Sequence, residues 1–346
     1  MENRPTYPSR TKIKKLLFTL LGFCISGVAL YVVFRGKYNV EELLTHFERI
    51  RVLPLILSIV FYWGGVQVIR SYLVRHLLKS VGKVRPPVAF RYICIGFLVN
   101  NILPLRMGEG ARIGGIAKRS NISIASTAGG LVVERLMDLT MAALIGFIAI
   151  QIAPIPDKVR FVILSAGGAL LTVLAALGLV ARRGLKETRS KKYGRLIRFA
   201  WNIIARFSAG FGGLKSTRDV AVTFVLAAMV WSVAVGTIVL RLVAFDMEPD
   251  LATALVLMAG ISLGISVPSA PSGIGVIHWL SAQALVIMGV DESLALSFAF
   301  FNHFFDYTSS SALGAICMAI EGYRFSDLKM ATADTAATPN TAESST

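Results

Sequence analysis

Residues 97–112 read Phe97-Leu98-Val99-Asn100-Asn101-Ile102-Leu103-Pro104-Leu105-Arg106-Met107-Gly108-Glu109-Gly110-Ala111-Arg112. An apolar run that starts near residue 88 stops at two asparagines and a proline. It returns carrying Arg106, Glu109 and Arg112, with Lys118 and Arg119 further on. The stretch 88–104 is apolar enough to enter lipid, whereas 106–123 is too polar to cross it alone. This pattern predicts a broken, re-entrant hairpin, because irregular backbone at membrane depth is tolerated only where it is buried in protein or lines a wet cavity. A second stretch, 251–290, breaks at Val267-Pro268-Ser269-Ala270-Pro271-Ser272-Gly273-Ile274-Gly275. Its return limb is apolar, so a hairpin and two full spans both stay open there.

The chain around these breaks has the composition of a membrane protein. Of 346 residues, 55% are hydrophobic and 16% charged, against roughly 45–50% and about 25% in soluble domains. That excludes an ordinary soluble enzyme and a disordered chain. Six apolar runs are long enough to cross a bilayer, at 16–34, 52–72, 124–152, 159–181, 219–243 and 293–321. The first is longer than a signal peptide and has no small-x-small cleavage site, so it reads as a retained span. The expected fold is an all-α integral membrane protein with about six full spans plus two broken re-entrant hairpins, or eight spans.

Charge sets the expected orientation. The net charge is +16, from 36 Lys+Arg against 20 Asp+Glu. The basic residues sit between apolar runs with little aromatic interleaving, so they signal topology, and no nucleic-acid partner is expected. The N-terminus 1–15 is basic, and 73–90 carries Arg75, Lys79, Lys83 and Arg85. The loop 182–218 holds eleven Lys/Arg against Glu187 alone. The opposite connections, at 154–158 and 246–250, are short or acidic. A polytopic domain over 16–325 in the inner (plasma) membrane follows, with both termini cytoplasmic and a disordered tail over 326–346. Cys24, Cys94 and Cys317 read as small buried apolar residues.

The two breaks repeat each other. Pro104 is followed by Gly108-x-Gly110 and then by Glu134-Arg135-Leu136-Met137-Asp138. Pro271 is followed by Gly273-x-Gly275 and then by Asn302-His303-Phe304-Phe305-Asp306. Proline to aspartate is 34 residues in the first unit and 35 in the second. The odd number of spans between the units makes the repeat inverted, covering about 52–152 and 219–321. Interrupted hydrophobic segments in inverted repeats are the usual construction of secondary transporters. Pro104, Gly108, Gly110, Pro268, Pro271, Gly273 and Gly275 are the expected hinge positions.

Glu134, Arg135 and Asp138 fall inside an apolar span, where each ionisable residue costs about 2.5–3.5 kcal/mol to insert. They are expected to face the interior, as a structural ion pair or as a polar pocket. Arg106, Glu109 and Arg112 recur at three-residue spacing and share one side of a helical return limb. Arginine's planar fork fits phosphate oxygens, so Arg106 and Arg112, with Arg135 nearby, are expected to hold a lipid headgroup. Interfacial snorkelling is the alternative for the first two. In the second unit, His278, Asn302, His303 and Asp306 form the polar site. His303 and Asp306, three apart, are expected to hydrogen-bond each other, and the histidines to relay protons rather than to bind metal. No metal and no cofactor is expected.

Asn100-Asn101-x-x-Pro104-x-Arg106-x-Gly108-Glu109-x-x-Arg112, followed by Glu134-Arg135-x-x-Asp138, resembles the membrane region of lysylphosphatidylglycerol synthases. Pro268-x-x-Pro271-x-Gly273-x-Gly275 resembles its second signature. The likeness covers about residues 12–325. It implies an all-helical, inverted-repeat, flippase-like domain that binds or moves lipids, with Asn100, Asn101, Arg106, Glu109, Arg112, Glu134, Arg135 and Asp138 as substrate-binding positions. Full-length synthases add a soluble aminoacyl-transfer domain that has no counterpart after residue 325, so lipid aminoacylation is not expected of this stretch.

The expected function is transport of a phospholipid or polyprenyl-linked lipid held by its phosphate headgroup. The alternatives are an integral-membrane lipid- or glycolipid-modifying transferase, and a scaffold that binds a lipid-synthesis enzyme through the 182–218 loop. In intact cells, cysteines introduced at Ser190 and Thr335 should be shielded from a membrane-impermeant thiol reagent while one at Asp157 labels. Labelling at Ser190 from outside overturns both the orientation and the inverted repeat.

Overall fold

The computed structural model describes residues 22–31, 45–103, 106–182, 216–266 and 270–322. Pro104, Pro268, residues 183–215 of the 182–218 loop and the tail after 322 lie outside them. Every regular element among the described residues is helical. The longer ones are α1 (Gly22–Tyr31), α2 (Val52–Leu78), α3 (Pro86–Ile102), α4 (Met107–Ser120), α5 (Ile124–Ile152), α6 (Asp157–Arg182), α7 (Thr217–Ala244), α8 (Leu251–Ser266), α9 (Val276–Ile287) and α10 (Glu292–Ile320), with a 3-10 turn at Pro271–Gly273 before α9.

Local chemistry sets these boundaries. Pro86 and Pro87 open α3, where a missing N–H costs nothing. Ser123 caps α5 by accepting from the Ser126 N–H, and Asp291 caps α10 from Ser293 and Leu294. Asn121, at φ 53°, closes α4 in the left-handed conformation that asparagine tolerates better than most side chains. Within α2 the run Phe61–Val66 is wound as one π-helical turn.

Two helices, α2 and α7, are each long and apolar enough to cross a membrane by that measure alone. They pack antiparallel and are pinned at both ends. Arg51 pairs with Asp246 at one end, where the Arg51 N–H also donates to the Ala244 carbonyl, and Lys79 pairs with Asp219 at the other. The 29-residue helices α5 and α10 are as long but carry polar clusters midway.

Four of the remaining helices form two hairpins, α3/α4 and α8/α9. At 1.5 Å per residue the 14-residue α4 spans about 21 Å and the 12-residue α9 about 18 Å, short of a core of about 30 Å. Each hairpin is clasped by the opposite half of the chain: α3 packs along α10 and α8 along α5. The buried clusters record the exchange. Cys317 and Met318 of α10 join Tyr92, Ile93 and Leu98 of α3, while Ile145 and Ala149 of α5 join Leu255 and Leu257 of α8.

Much of the described helix surface is apolar. Phe147, Ile148, Phe161, Val162, Val225, Met229, Ile316 and Ile320 all face outward, which suits lipid and not water. Glu134, midway along α5, and Asn302, midway along α10, are buried, while Arg135 keeps exposed surface.

The first hairpin closes at its glycines. A Cβ on Gly108 would lie 2.0 Å from the Gly96 carbonyl oxygen and 2.6 Å from Asn100 Oδ1. Gly108 and Gly110 sit inside α4, where Gly108 serves close packing, and Arg106, just before the helix, takes the left-handed conformation at φ 53°. Gly273 and Gly275 do occupy positive-φ positions in the second break. Helix propensity alone predicts that Gly108→Ala gains about 1 kcal/mol. The packing predicts the opposite sign, a loss of about 1–3 kcal/mol from overpacking. Gly236→Ala in α7, with open space around it, is the control that should be neutral or stabilising. Thermal unfolding in detergent compares the two.

Candidate functional site

The centre of the molecule is a carboxylate with no access to solvent. Glu134 of α5 is 0% exposed. Its Oε1 accepts from Arg70 Nη1 of α2 at 2.9 Å and its Oε2 from Arg112 Nη2 of α4 at 2.6 Å. One turn on, Asp138 accepts from the same Arg70 Nη1 at 2.8 Å, from Arg135 at 3.1 Å and from the Trp231 indole of α7 at 3.0 Å. Arg135, half-exposed, also pairs with Glu109 of α4. Three arginines thus meet three carboxylates, joining α2, α4, α5 and α7 with no net charge. Such neutrality is what permits ionised groups at this depth.

The second half contains a counterpart. Arg241 of α7 donates to Asn302 Oδ1 at 2.6 Å and to both oxygens of Asp306, at 3.0 and 2.6 Å, on α10. Asn302 and Asp306 are four apart, as are Glu134 and Asp138. In each half an arginine on the first long helix grips a pair on the last. The Tyr62 ring lies 6.0 Å from the Arg241 guanidinium carbon. Leu55, Phe245, Phe298, Phe301 and Phe305 line a narrow crevice beside Arg241 and Asn302.

Arg70 and Arg241 are the two residues that sequence reasoning missed. Each is an arginine inside an otherwise apolar span, which by itself demands an interior partner.

The hairpin tips meet one another. Asn100 Oδ1 accepts from the Gly108 N–H at 2.8 Å and so caps the start of α4. Asn101 reaches across the halves: its amide donates to Ser310 and Ser311 of α10, at 2.8 and 2.9 Å, and its Oδ1 accepts from Ser272 Oγ at 3.1 Å. Arg106 donates to the Ile265 carbonyl, in the last turn of α8, and among the described residues it has no carboxylate partner. It is exposed, repelled by the Arg135 charge and attracted by that of Glu109, whose carboxylate is in ion-pair contact with Arg135.

His278 and His303 are both buried and touch, with His303 Nδ1 2.8 Å from His278 Nε2. The expected His303–Asp306 bond is replaced, because Asp306 is held by Arg241 while His303 turns to His278 and to the Ser272 carbonyl at 2.9 Å. The structure therefore divides the sequence-derived residues into three sets. Glu109, Arg112, Glu134, Asp138, Asn302 and Asp306 are committed to the arginine networks; Asn100, Asn101, His278 and His303 hold the tips; Arg106 and Arg135 keep exposed surface. Among the described residues no group of three or more His, Cys, Asp or Glu side chains is placed to hold a metal ion.

The network predicts an asymmetry between single and double changes. Glu134→Leu strips Arg112 of its carboxylate partner and should cost about 3–5 kcal/mol, the penalty of a buried charge left unpaired. Adding Arg112→Met to that variant should recover a large part of the loss. Thermal stability in detergent for the four corners of this cycle measures the coupling, and additive losses overturn the direct pair.

The sequence features, helical hairpins and inward-facing charges agree with one family comparison. The family model of the lysylphosphatidylglycerol synthase TM region matches residues 19–314. The chain matches no curated relative and no solved structure. With most of its length matched, and the hairpin carrying Asn100 to Arg112 inside the match, the chain belongs to the lysylphosphatidylglycerol synthase TM-region family, multi-pass membrane proteins associated with lipid modification and flipping.

Proposed function

We propose that this protein translocates a lipid with a phosphate-containing headgroup across the inner membrane, using two inverted units whose hairpin tips meet inside the bilayer. The observation that carries the reading is Arg106. It stands at the tip of the first hairpin, exposed, tied to one carbonyl, with the half-exposed Arg135 nearby. A cation at the hairpin tip with no carboxylate in ion-pair contact is stabilised further by an anion brought from outside. A lipid phosphate matches both the charge and the guanidinium fork.

The reciprocal clasp of α3 by α10 and of α8 by α5 supports the inverted repeat, as do the matched arginine grips of Arg70 and Arg241. The shortness of α4 and α9 supports two re-entrant hairpins over eight spans. In this reading the basic side, with both termini and the 182–218 loop, faces the cytoplasm, and a lipid-synthesis enzyme supplying the lipid docks there. The headgroup site is narrower than the sequence pattern implied: Arg106 and Arg135 take the phosphate, while Arg112 serves as the buried counter-ion of Glu134. Phospholipids, aminoacylated lipids and polyprenyl-linked intermediates share the phosphate this site recognises.

Arg106→Lys keeps the charge and loses the fork, so it should weaken lipid retention about tenfold where the contact is bidentate. Arg106→Ala should weaken it further. Phospholipid co-purification and lipid movement in liposomes, at equal amounts of folded protein, test this. Wild-type retention and movement in both variants would reject a phosphate site at this hairpin.

A further inference from the structure

We propose that the His278–His303 pair is a proton-binding site, and that loading it releases the tip of the second hairpin. The use of this site to drive lipid movement rests on the translocation reading above; proton binding itself does not.

The partners fix the tautomers. His303 Nε2 faces the Ser272 carbonyl oxygen at 2.9 Å, so it carries a hydrogen. His303 Nδ1 is then a lone pair, and the 2.8 Å contact requires His278 Nε2 to donate. His278 Nδ1 is in turn a lone pair, and it accepts from the Gly275 N–H at 3.4 Å. The chain Gly275 → His278 → His303 → Ser272 runs in one direction and is satisfied only when both rings are neutral.

A third proton has one place to go. The gap between the rings holds one hydrogen, and His303 Nε2 already carries another. Wherever the charge rests, His278 Nδ1 gains a hydrogen, which then points at the Gly275 N–H. Two donors face each other, and the bond that caps the start of α9 is lost. Gly275 packs closely on α1: at φ 89°, a Cβ added there would lie 2.5 Å from the Ser26 carbonyl oxygen. The tip also rests on α1 through Ala270 N–H donating to Ser26 Oγ at 2.8 Å, and on the first hairpin through Ser272 and Asn101. Displacing Gly275 therefore moves contacts shared with α1 and with the hairpin that bears Arg106.

Few charged groups bear on the pair. The α8 segment Leu251–Ser266 contains no titratable residue, and α9 has only His278. On α10, Asp306 lies one turn beyond His303 with its carboxylate held by Arg241 of α7, and Tyr307 follows it. Arg91 and Tyr92 of α3 are engaged by Glu321 at that helix's far end, and Arg106 of the first tip binds the Ile265 carbonyl. From α1 the tip meets Ser26. The Phe300 ring lies 4.2 Å from the His278 ring and closes its face. The added cation thus has Asp306 as its nearest carboxylate, and that group is already paired.

The probe is the proton. The chain has four histidines, so ¹⁵N-histidine spectra in nanodiscs can be assigned by difference with His278→Asn and His303→Gln. In the first variant the new amide keeps an acceptor for the Gly275 N–H. In the second it keeps a donor for the Ser272 carbonyl. Both choices guard the fold, and neither side chain titrates. Tip release is read by thiol labelling of Ile274→Cys in a Cys24→Ser background, with rates divided by those of the same protein carrying His278→Asn to remove the reagent's own pH dependence. Between about pH 8 and about pH 3, one of the two rings should become doubly protonated while the labelling ratio rises about tenfold. Absence of titration at both rings, or titration with a flat labelling ratio, overturns the proposal. Lipid movement in liposomes with and without a pH gradient separates the two readings. A titrating tip in a protein that moves no lipid would sink the transport reading alone, and lipid movement with no titration would sink the proton site alone.

Discussion

Glu134 is the residue around which this molecule is built. A carboxylate with no solvent contact, on an otherwise apolar 29-residue helix, must find cations in the protein. It finds one on α2 and one on α4, and that single requirement decides which helices neighbour α5 and at what depth. Asp138 extends the grip by one turn to Arg135 and Trp231, which brings in α7. In lipid, where apolar contact between helices does not distinguish one neighbour from another, such paired charges specify the arrangement more than propensity does. Close backbone approach contributes the rest, as where Gly96 and Gly108 let α3 and α4 touch.

The second half uses the same device with one charge removed. Asn302 stands where Glu134 stands, and Asp306 where Asp138 stands, so Arg241 meets one carboxylate instead of two. The two halves therefore differ electrostatically although they share an outline. The first gathers six charges and leaves two cations with exposed surface near its tip. The second gathers two charges and places a neutral histidine chain at its tip. The Asn101–Ser272 bond joins these chemistries, and through it a change at one tip bears on the other.

Much of the outline was legible from residue pattern. Long apolar runs need no tertiary information to be recognised, and the breaks are marked by prolines and by a return limb with charges every third residue. The polar clusters were legible for the same reason: ionisable groups are rare in such runs. The partners of those clusters were not. Glu134 lies 64 residues from Arg70 and 22 from Arg112, separations at which spacing carries no information. Local spacing pointed to Arg135 as the interior cation and to Asp306 as the mate of His303. The fold instead leaves Arg135 half-exposed and gives Asp306 to Arg241.

Residue chemistry along the chain was enough to establish the helical class, the apolar exterior, the two interruptions and the presence of charge inside the spans. These are properties of composition and period, and they follow from what each residue costs to place in lipid. Three-dimensional packing was needed to establish which cation answers which carboxylate, that His278 and His303 touch, and that Arg106 has no carboxylate partner among the described residues. Those facts depend on the crossing of helices distant in the chain, where backbone approach and the cost of unpaired buried charge act together. No local pattern encodes them.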